Sequence, residues 1–251
     1  MKIAIAGAGN IATFFAKKFQ AAGFEIVQVV AAHKEHAQQL AMQLNCSFTD
    51  QISDLDPGAD VCLFAVKDDV LLDFAAKLRL KQIVIHTAGS VALSELQAIS
   101  SRVACIWPVY SIHKDKLPEN PSLPLVLNAS SDEALEITRS LAFAISQHHY
   151  VLTDQQKSSL HLAAVFANNF TNHMYTVSEQ ITREHGVPFA ALLPLIADTA
   201  QKVQHSLPQQ NQTGPAIRHD EKTMTKHLNM LHDEVWQQIY RLISGSIRQS
   251  H

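Results

Sequence analysis

The first residues with a type and spacing suited to chemistry stand at the start of the chain. Gly7-Ala8-Gly9-Asn10-Ile11-Ala12 follows the apolar run Lys2–Ala6 and opens a helical pattern, the setting in which such a turn binds a dinucleotide. Gly7 permits the tight strand-to-helix turn. Gly9 leaves no Cβ between the main chain and a pyrophosphate, and Ala12 in the third slot still allows helix and strand to pack closely. Free main-chain N–H groups and the helix dipole supply the anion site. Gly7, Gly9, Asn10 and Ile11 are therefore the candidate pyrophosphate residues; an ordinary glycine turn is the competing reading. The run Glu25–Val30 leads into Ala31-Ala32-His33-Lys34, where an NAD enzyme offers an acid to the ribose hydroxyls. None stands there. His33 and Lys34 would instead receive a 2′-phosphate, which favours NADP over NAD, with Glu35 weakening the basic pocket.

Two further runs end at the edge where ligands of such sheets sit. Phe64-Ala65-Val66-Lys67-Asp68-Asp69 places Ala65 and Val66 against the cofactor and an aspartate at the next helix cap. His86-Thr87-Ala88-Gly89-Ser90 offers small and hydroxylic residues, with Ser90 in reach of the cofactor. His86 is either an acid–base group or a hydrogen-bonded structural histidine. On the later helix Gln155–His185, taking Lys157 as zero at about 100° per residue, His161, Asn168, Asn172, Tyr175 and Glu179 all fall within about 60°. The remaining surface is apolar, so the helix is expected to be buried and its polar stripe to face a substrate or water. Thr213-Gly214-Pro215-Ala216-Ile217-Arg218-His219-Asp220 presents a guanidinium that either grips a carboxylate or phosphate in two-pronged fashion or pairs with Asp220.

The elements that position these residues fall into two groups. β-rich runs at Ile3–Ala6, Glu25–Val30, Val61–Val66, Ile83–His86, Val103–Trp107 and Leu123–Leu127 alternate with helical patterns at Ile11–Ala22, His36–Leu44, Asp69–Leu78 and Asp132–Ser146. That alternation specifies an α/β fold, a doubly wound Rossmann-like parallel sheet. Beyond Thr153 no strand pattern remains, and Gln155–His185, Phe189–Ser206 and Asp220–Arg248 read as three helices. The expected division is a dinucleotide-binding domain at 1–152 and an all-α domain for substrate and dimerisation at 153–251.

The composition narrows the class. Of 251 residues 47% are apolar and 17% charged, values of an ordinary globular chain. Lys plus Arg number 20 against 23 Asp plus Glu, a formal charge of −3, so no basic field points to nucleic acid or an anionic membrane. Cys46, Cys62 and Cys105 are odd in number and widely spaced, which fits free thiols in a reducing compartment. No leader or membrane-spanning run is read, so a cytoplasmic protein is expected. The 14 histidines are scattered without ligand spacing, and no metal site is expected.

Taken together, the opening Ile-Ala-Gly-Ala-Gly-Asn-Ile-Ala, Phe64-Ala-Val-Lys-Asp-Asp, His86-Thr-Ala-Gly-Ser, His161-Leu-Ala-Ala-Val-Phe-Ala-Asn-Asn and Thr213-Gly-Pro-Ala-Ile-Arg-His-Asp resemble a family of NADP oxidoreductases. Its members join a Rossmann-like domain to a helical domain of unknown function, and the match spans almost the whole chain. The sequence is more distantly similar to pyrroline-5-carboxylate reductase and to deazaflavin-dependent NADP reductases. The resemblance implies a nicotinamide in the cleft between the domains, a homodimer built from the helical halves, Gly7, Gly9, Asn10 and Ile11 on the pyrophosphate, and His161, Asn168, Asn169 and Arg218 along the cleft. Two positions depart from it: relatives usually carry Pro where Lys67 stands and Gly where His219 stands.

The expected activity is hydride transfer between NADP(H) and a small C=O or C=N metabolite. His161, or else Lys157 or His86, handles the proton, while Asn168, Asn169, Asn172 and Arg218 orient the substrate. The alternative is a non-catalytic dinucleotide-binding sensor or interaction protein, stabilised by NADP without turning it over.

Overall fold

A computed structural model describes residues 1–119 and 122–250. Eight strands form one sheet: β1 (Lys2–Ala6), β2 (Glu25–Val30), β3 (Ser47–Thr49), β4 (Val61–Phe64), β5 (Ile83–His86), β6 (Val103–Pro108), β7 (Leu125–Ala129) and β8 (His149–Val151), in the order β3-β2-β1-β4-β5-β6-β7-β8. Five helices accompany them: α1 (Asn10–Ala21), α2 (Lys34–Leu44), α3 (Asp68–Lys77), α4 (Asp132–Phe143) and α5 (Asp154–Ala164). Strand order reverses between β1 and β4, so a crevice opens at their carboxyl ends.

Two-residue periodicity splits the strands between two cores. In β1, Ile3 and Ile5 face Phe14, Phe15 and Phe19 of α1, while Ala4 and Ala6 join Phe64, Leu71 and Val84 on the opposite face. The three α1 phenylalanines are fully buried, each worth roughly 1.5–3 kcal/mol of apolar transfer. This clamps α1 onto β1 and fixes the direction in which its amino end points.

The sheet departs from the sequence reading in two ways. β3 and β8, three residues each, are too short to show a period of their own. β7 runs antiparallel to β6, whereas every other neighbouring pair is parallel. A parallel neighbour needs a crossover, usually a helix, and the described residues between β6 and β7 contain none.

The chain forms two compact units, Met1–Val165 and Phe166–His251. The cut expected at 152 falls directly after β8, and α5 belongs to the sheet unit. The long helix read from the sequence is interrupted: α5 passes into a π-helical stretch, Val165–Phe170, before α6 (Thr171–Glu184). The second unit continues with a 3-10 turn (Phe189–Leu192), α7 (Leu193–Lys202), α8 (Glu221–Met230) and α9 (Glu234–Ser250). The single helix expected over Asp220–Arg248 is therefore two. Asp233 breaks it by accepting the N–H groups of Val235 and Trp236 at 2.8 and 3.0 Å, a cap that competes with helix continuation. Among the described residues no helix is long and apolar enough to cross a membrane.

Candidate active site

A cleft of about 1040 Å³ lies along the carboxyl ends of β1, β2, β4 and β5, at the upper end of ligand-site sizes. It is built entirely from the sheet unit, and Gly7, Gly9, Asn10, Ile11, His33, Ala65, Val66, Ser90 and His161 all line it.

The two glycines of the turn answer to different neighbours. Gly7 has φ +124°, and a Cβ there would lie 2.3 Å from the Ala65 carbonyl oxygen, so backbone conformation and the close approach of β4 both demand glycine. A Cβ on Gly9 would meet no protein atom within 4 Å; it would project into open space. No contact within the fold requires glycine there, and the position lines the cleft. The helix starts agree. Within the sheet unit α4 and α5 are capped by Ser131 and Thr153 side chains, whereas α1, α2 and α3 have no side-chain cap. The three uncapped helices are those whose opening residues reach the cleft; α2 and α3 hold acids in their first turns, with the Val70 N–H already on Asp69 Oδ1, so α1 is the start left open to an anion.

At the end of β2 the cleft is lined by His33 and His36, with ring centroids 5.3 Å apart, and by Asp50. Lys34, expected beside His33, does not line it. One helical step of about 100° carries Lys34 off the face that His33 and His36 share at three-residue spacing.

At the other end Gly89, Trp107 and His161 meet. A Cβ on Gly89 would lie 2.6 Å from His161 Cδ2 and 2.7 Å from Trp107 Cε2, and the Trp107 and His161 rings stand 5.5 Å apart. Ser90 donates its hydroxyl to Asp68, which ties the loop after β5 to the start of α3. Asp68 thus bridges two loops instead of capping its own helix; the cap position is Lys67.

Lys157 and His86 are placed differently from His161. Lys157 is 0% exposed, its ammonium donating to the Val91 carbonyl oxygen and lying 3.2 Å from Asp154 Oδ1. Asp154 in turn accepts the Leu93 N–H and the Asn128 amide, both at 3.0 Å. This cluster staples the loop after β5 to α5. His86 is also fully buried, accepts the Ala88 N–H at Nδ1, and has no protein partner at Nε2. Burial, then the Lys157 charge, pushes its pKa down to about 3. It stays neutral at ordinary pH and lies behind the cleft wall, reaching it only through the Ala88 N–H. Burial likewise pushes the Cys62 and Cys105 thiols up to about 12 and Cys46 to about 11; all three are free.

Residues 2–89 match the family described as NADP oxidoreductase, coenzyme F420-dependent, and residues 123–247 match a domain of unknown function, DUF2520. A candidate NADP oxidoreductase from Bacteroides fragilis is 34% identical over 99% of this chain and 98% of its own, with a TM-score of 0.90. The chain belongs to this NADP oxidoreductase family. A Thermotoga maritima protein (21% identity, 99% and 97% coverage, TM-score 0.74) and a Myxococcus stipitatus imine reductase in complex with NADP+ (16%, 99% and 92%, 0.68) share the fold. No curated protein matches.

NADP is this family's cofactor, and the residues present fit it: a glycine cradle open to a pyrophosphate, an uncapped start of α1, and two imidazoles, His33 and His36, beside Asp50 at the end of β2. The two departures from the family pattern sit on matching backbone. Lys67 has φ −64°, the value proline would impose. His219 has φ +52°, the left-handed region that suits glycine.

Asn168, Asn169, Asn172 and Arg218 lie in the second unit, each exposed, the first two within the π-helical stretch. The polar stripe behaves unlike its expectation: Lys157 is the buried residue of α5, while Leu162 and Phe166 are 60% and 62% exposed. Lys157 and Leu162 both precede the π stretch, so the burial of Lys157 follows from its partners, the Val91 carbonyl and Asp154; the π turn, which holds more residues than an α turn, shifts the 100° register only beyond Val165. Asp220 spends its carboxylate on the Thr223 N–H and hydroxyl, capping α8, and Arg218 forms no ion pair among the described residues. His36, Trp107 and Lys114 also line the cleft and were not singled out from sequence. A histidine three residues after His33 was the available signal for His36; Trp107 and Lys114 carried none.

Proposed function

We propose that this oxidoreductase reduces a small C=O or C=N compound, with His161 delivering or removing the proton. Bound NADPH supplies the hydride. The sheet unit orients it through the glycine turn, and Gly89, where a Cβ would run into the His161 and Trp107 rings, lets both rings close onto the loop after β5 at the edge of the cleft. The observation that carries this reading is the pairing, in one cleft, of a glycine turn whose Gly9 faces open space with a half-buried imidazole at the opposite end. Holding donor and acceptor at contact distance provides most of the acceleration, and a positioned acid adds roughly 10²–10⁴-fold. Asn168, Asn169, Asn172 and Arg218 are assigned to substrate orientation, His33 and His36 to the 2′-phosphate. The three free thiols, neutral by burial, suit a reducing compartment such as the cytoplasm.

A second copy of the chain is the proposed cover for the apolar side chains on the helices of the second unit, where Leu193, Leu195, Leu207 and Leu242 are each more than half exposed. Patches of this kind mark interfaces.

The test is NADPH titration followed by NADPH oxidation with a panel of cyclic imines, ketones and aldehydes. Wild-type protein binds and turns over at least one class. His161→Ala keeps NADPH affinity within about twofold and loses about 10²-fold or more in turnover. Unchanged turnover in His161→Ala removes His161 from the chemistry, and NADPH binding without oxidation of any panel member favours the sensor reading.

A further inference from the structure

Residues 90–122 lie between the two matched family segments and belong to neither, yet they bring Trp107 and Lys114 to the cleft. The chain leaves β6 and crosses to the start of α1. Its path is fixed by the Val109 N–H bond to the Pro124 carbonyl at 3.0 Å, by Ile112, 5% exposed in the same core as Leu123, and by a turn closed by the Lys116 N–H on the His113 carbonyl at 3.1 Å. At its tip the main-chain N–H of Lys114 donates to Asn10 Oδ1 at 3.1 Å, across 104 residues of sequence.

That bond bears on the phosphate site. An N–H can meet only the oxygen end of an asparagine amide, so Asn10 Oδ1 is spent on the strap, and an oxygen offers nothing to an acceptor-only phosphate. The glycine turn supplies N–H dipoles but no whole charge, since the first turn of α1, Asn10-Ile11-Ala12-Thr13, holds no basic residue. Lys67 and Lys114 are the lysines lining the cleft, no arginine lines it, and Lys114 is the one tethered beside the glycine turn. Resting on the reading of the cleft as a dinucleotide site, we propose that Lys114 is the counter-charge for the cofactor's diphosphate, and that Asn10 is a positioning residue which holds the strap carrying it.

The experiment titrates NADPH and NADH, by nicotinamide fluorescence, into wild type, Lys114→Met, Lys114→Arg, Asn10→Ala and the Asn10→Ala/Lys114→Met double variant, with melting temperature as a folding control. A diphosphate contact is common to both nucleotides, so Lys114→Met weakens both by the same factor, about tenfold or more for a lost charge-assisted contact, and Lys114→Arg retains most of the affinity. Asn10→Ala weakens both as well, and its effect shrinks to less than about twofold when Lys114 is already Met, as coupling through one contact requires. The proposal is overturned by unchanged affinity in Lys114→Met, by a loss confined to NADPH, which would move Lys114 to the 2′-phosphate, or by a full Asn10→Ala effect persisting in the double variant. Wild-type protein that takes up neither nucleotide would instead overturn the reading of the cleft.

Discussion

Between Met1 and Val165 the large apolar side chains close over two cores, with Phe14, Phe15, Phe19 and Phe64 fully buried. Between Phe166 and Ser250 only Ala216 and Met224 among the apolar residues fall below a tenth exposed, and Leu195 and Leu242 stand 62% and 74% exposed. A parallel sheet covered by helices on both faces needs nothing beyond itself to satisfy its pattern, and its rigidity lets one edge be given over to ligand geometry. The helical unit carries just as regular an apolar pattern without enclosing it, and the proposed second copy of the chain is what would cover that pattern. Within one turn the two glycines differ in the same way: Gly7 is closed in by the Ala65 carbonyl, and Gly9 faces open space.

The strongest way to break this comparison is at the turn. Gly7→Ala places a Cβ against the Ala65 carbonyl at a left-handed φ, so unfolding stability should fall by about 3 kcal/mol or more, read by denaturant melts. Gly9→Val should leave the melt within about 0.5 kcal/mol yet weaken NADPH binding at least about tenfold; a loss of stability there would deny that Gly9 answers to a ligand.

Next comes the self-contained polar cluster of the sheet unit. His86 titrates near 3 in the folded protein against an ordinary 6.5, so between these values the unfolded chain binds more protons. Stability is then fully present above about pH 6.5 and declines as pH falls toward 3, with a slope of up to about 1.4 kcal/mol per pH unit from this group. His86→Gln should remove that component from Tm measured across pH 4–7; an unchanged slope would mean another group carries it.

For the helical unit, Leu242→Glu should shift the proposed dimer toward monomer in light scattering, at a cost of about 2 kcal/mol for one anchor, while NADPH affinity of the sheet unit stays the same. Monomeric wild type would sharpen the contrast differently, by sending the search for a cover to another partner. The smallest effect is at His219: His219→Gly relieves a left-handed φ of +52° and should raise stability by about 1 kcal/mol or less.

Local pattern made much of this readable. The glycine turn, the strand alternation of β1, β2, β4 and β5, and the change to helices after Thr153 all express short-range rules of sterics and periodicity. The break at Asp233 was readable too, since an aspartate followed by glutamate is a helix start, but the longer apolar period masks it. The edge strands β3 and β8 are shorter than two full periods, and the direction of β7 depends on a connection whose described residues form no helix.

What the amino-acid order settled unaided was where the backbone must bend, which face each strand residue takes, and that the turn at residue 7 exposes N–H groups, because these follow from φ, Cβ sterics and the two-residue repeat of a strand. Which charges reach the cleft was settled only by folding. Lys157 is drawn into the interior by a carbonyl 66 residues away, and Lys114 is brought to the glycine turn by a side chain 104 residues away. Those placements are fixed by desolvation and long-range hydrogen bonds, which have no counterpart in the local spacing of residues.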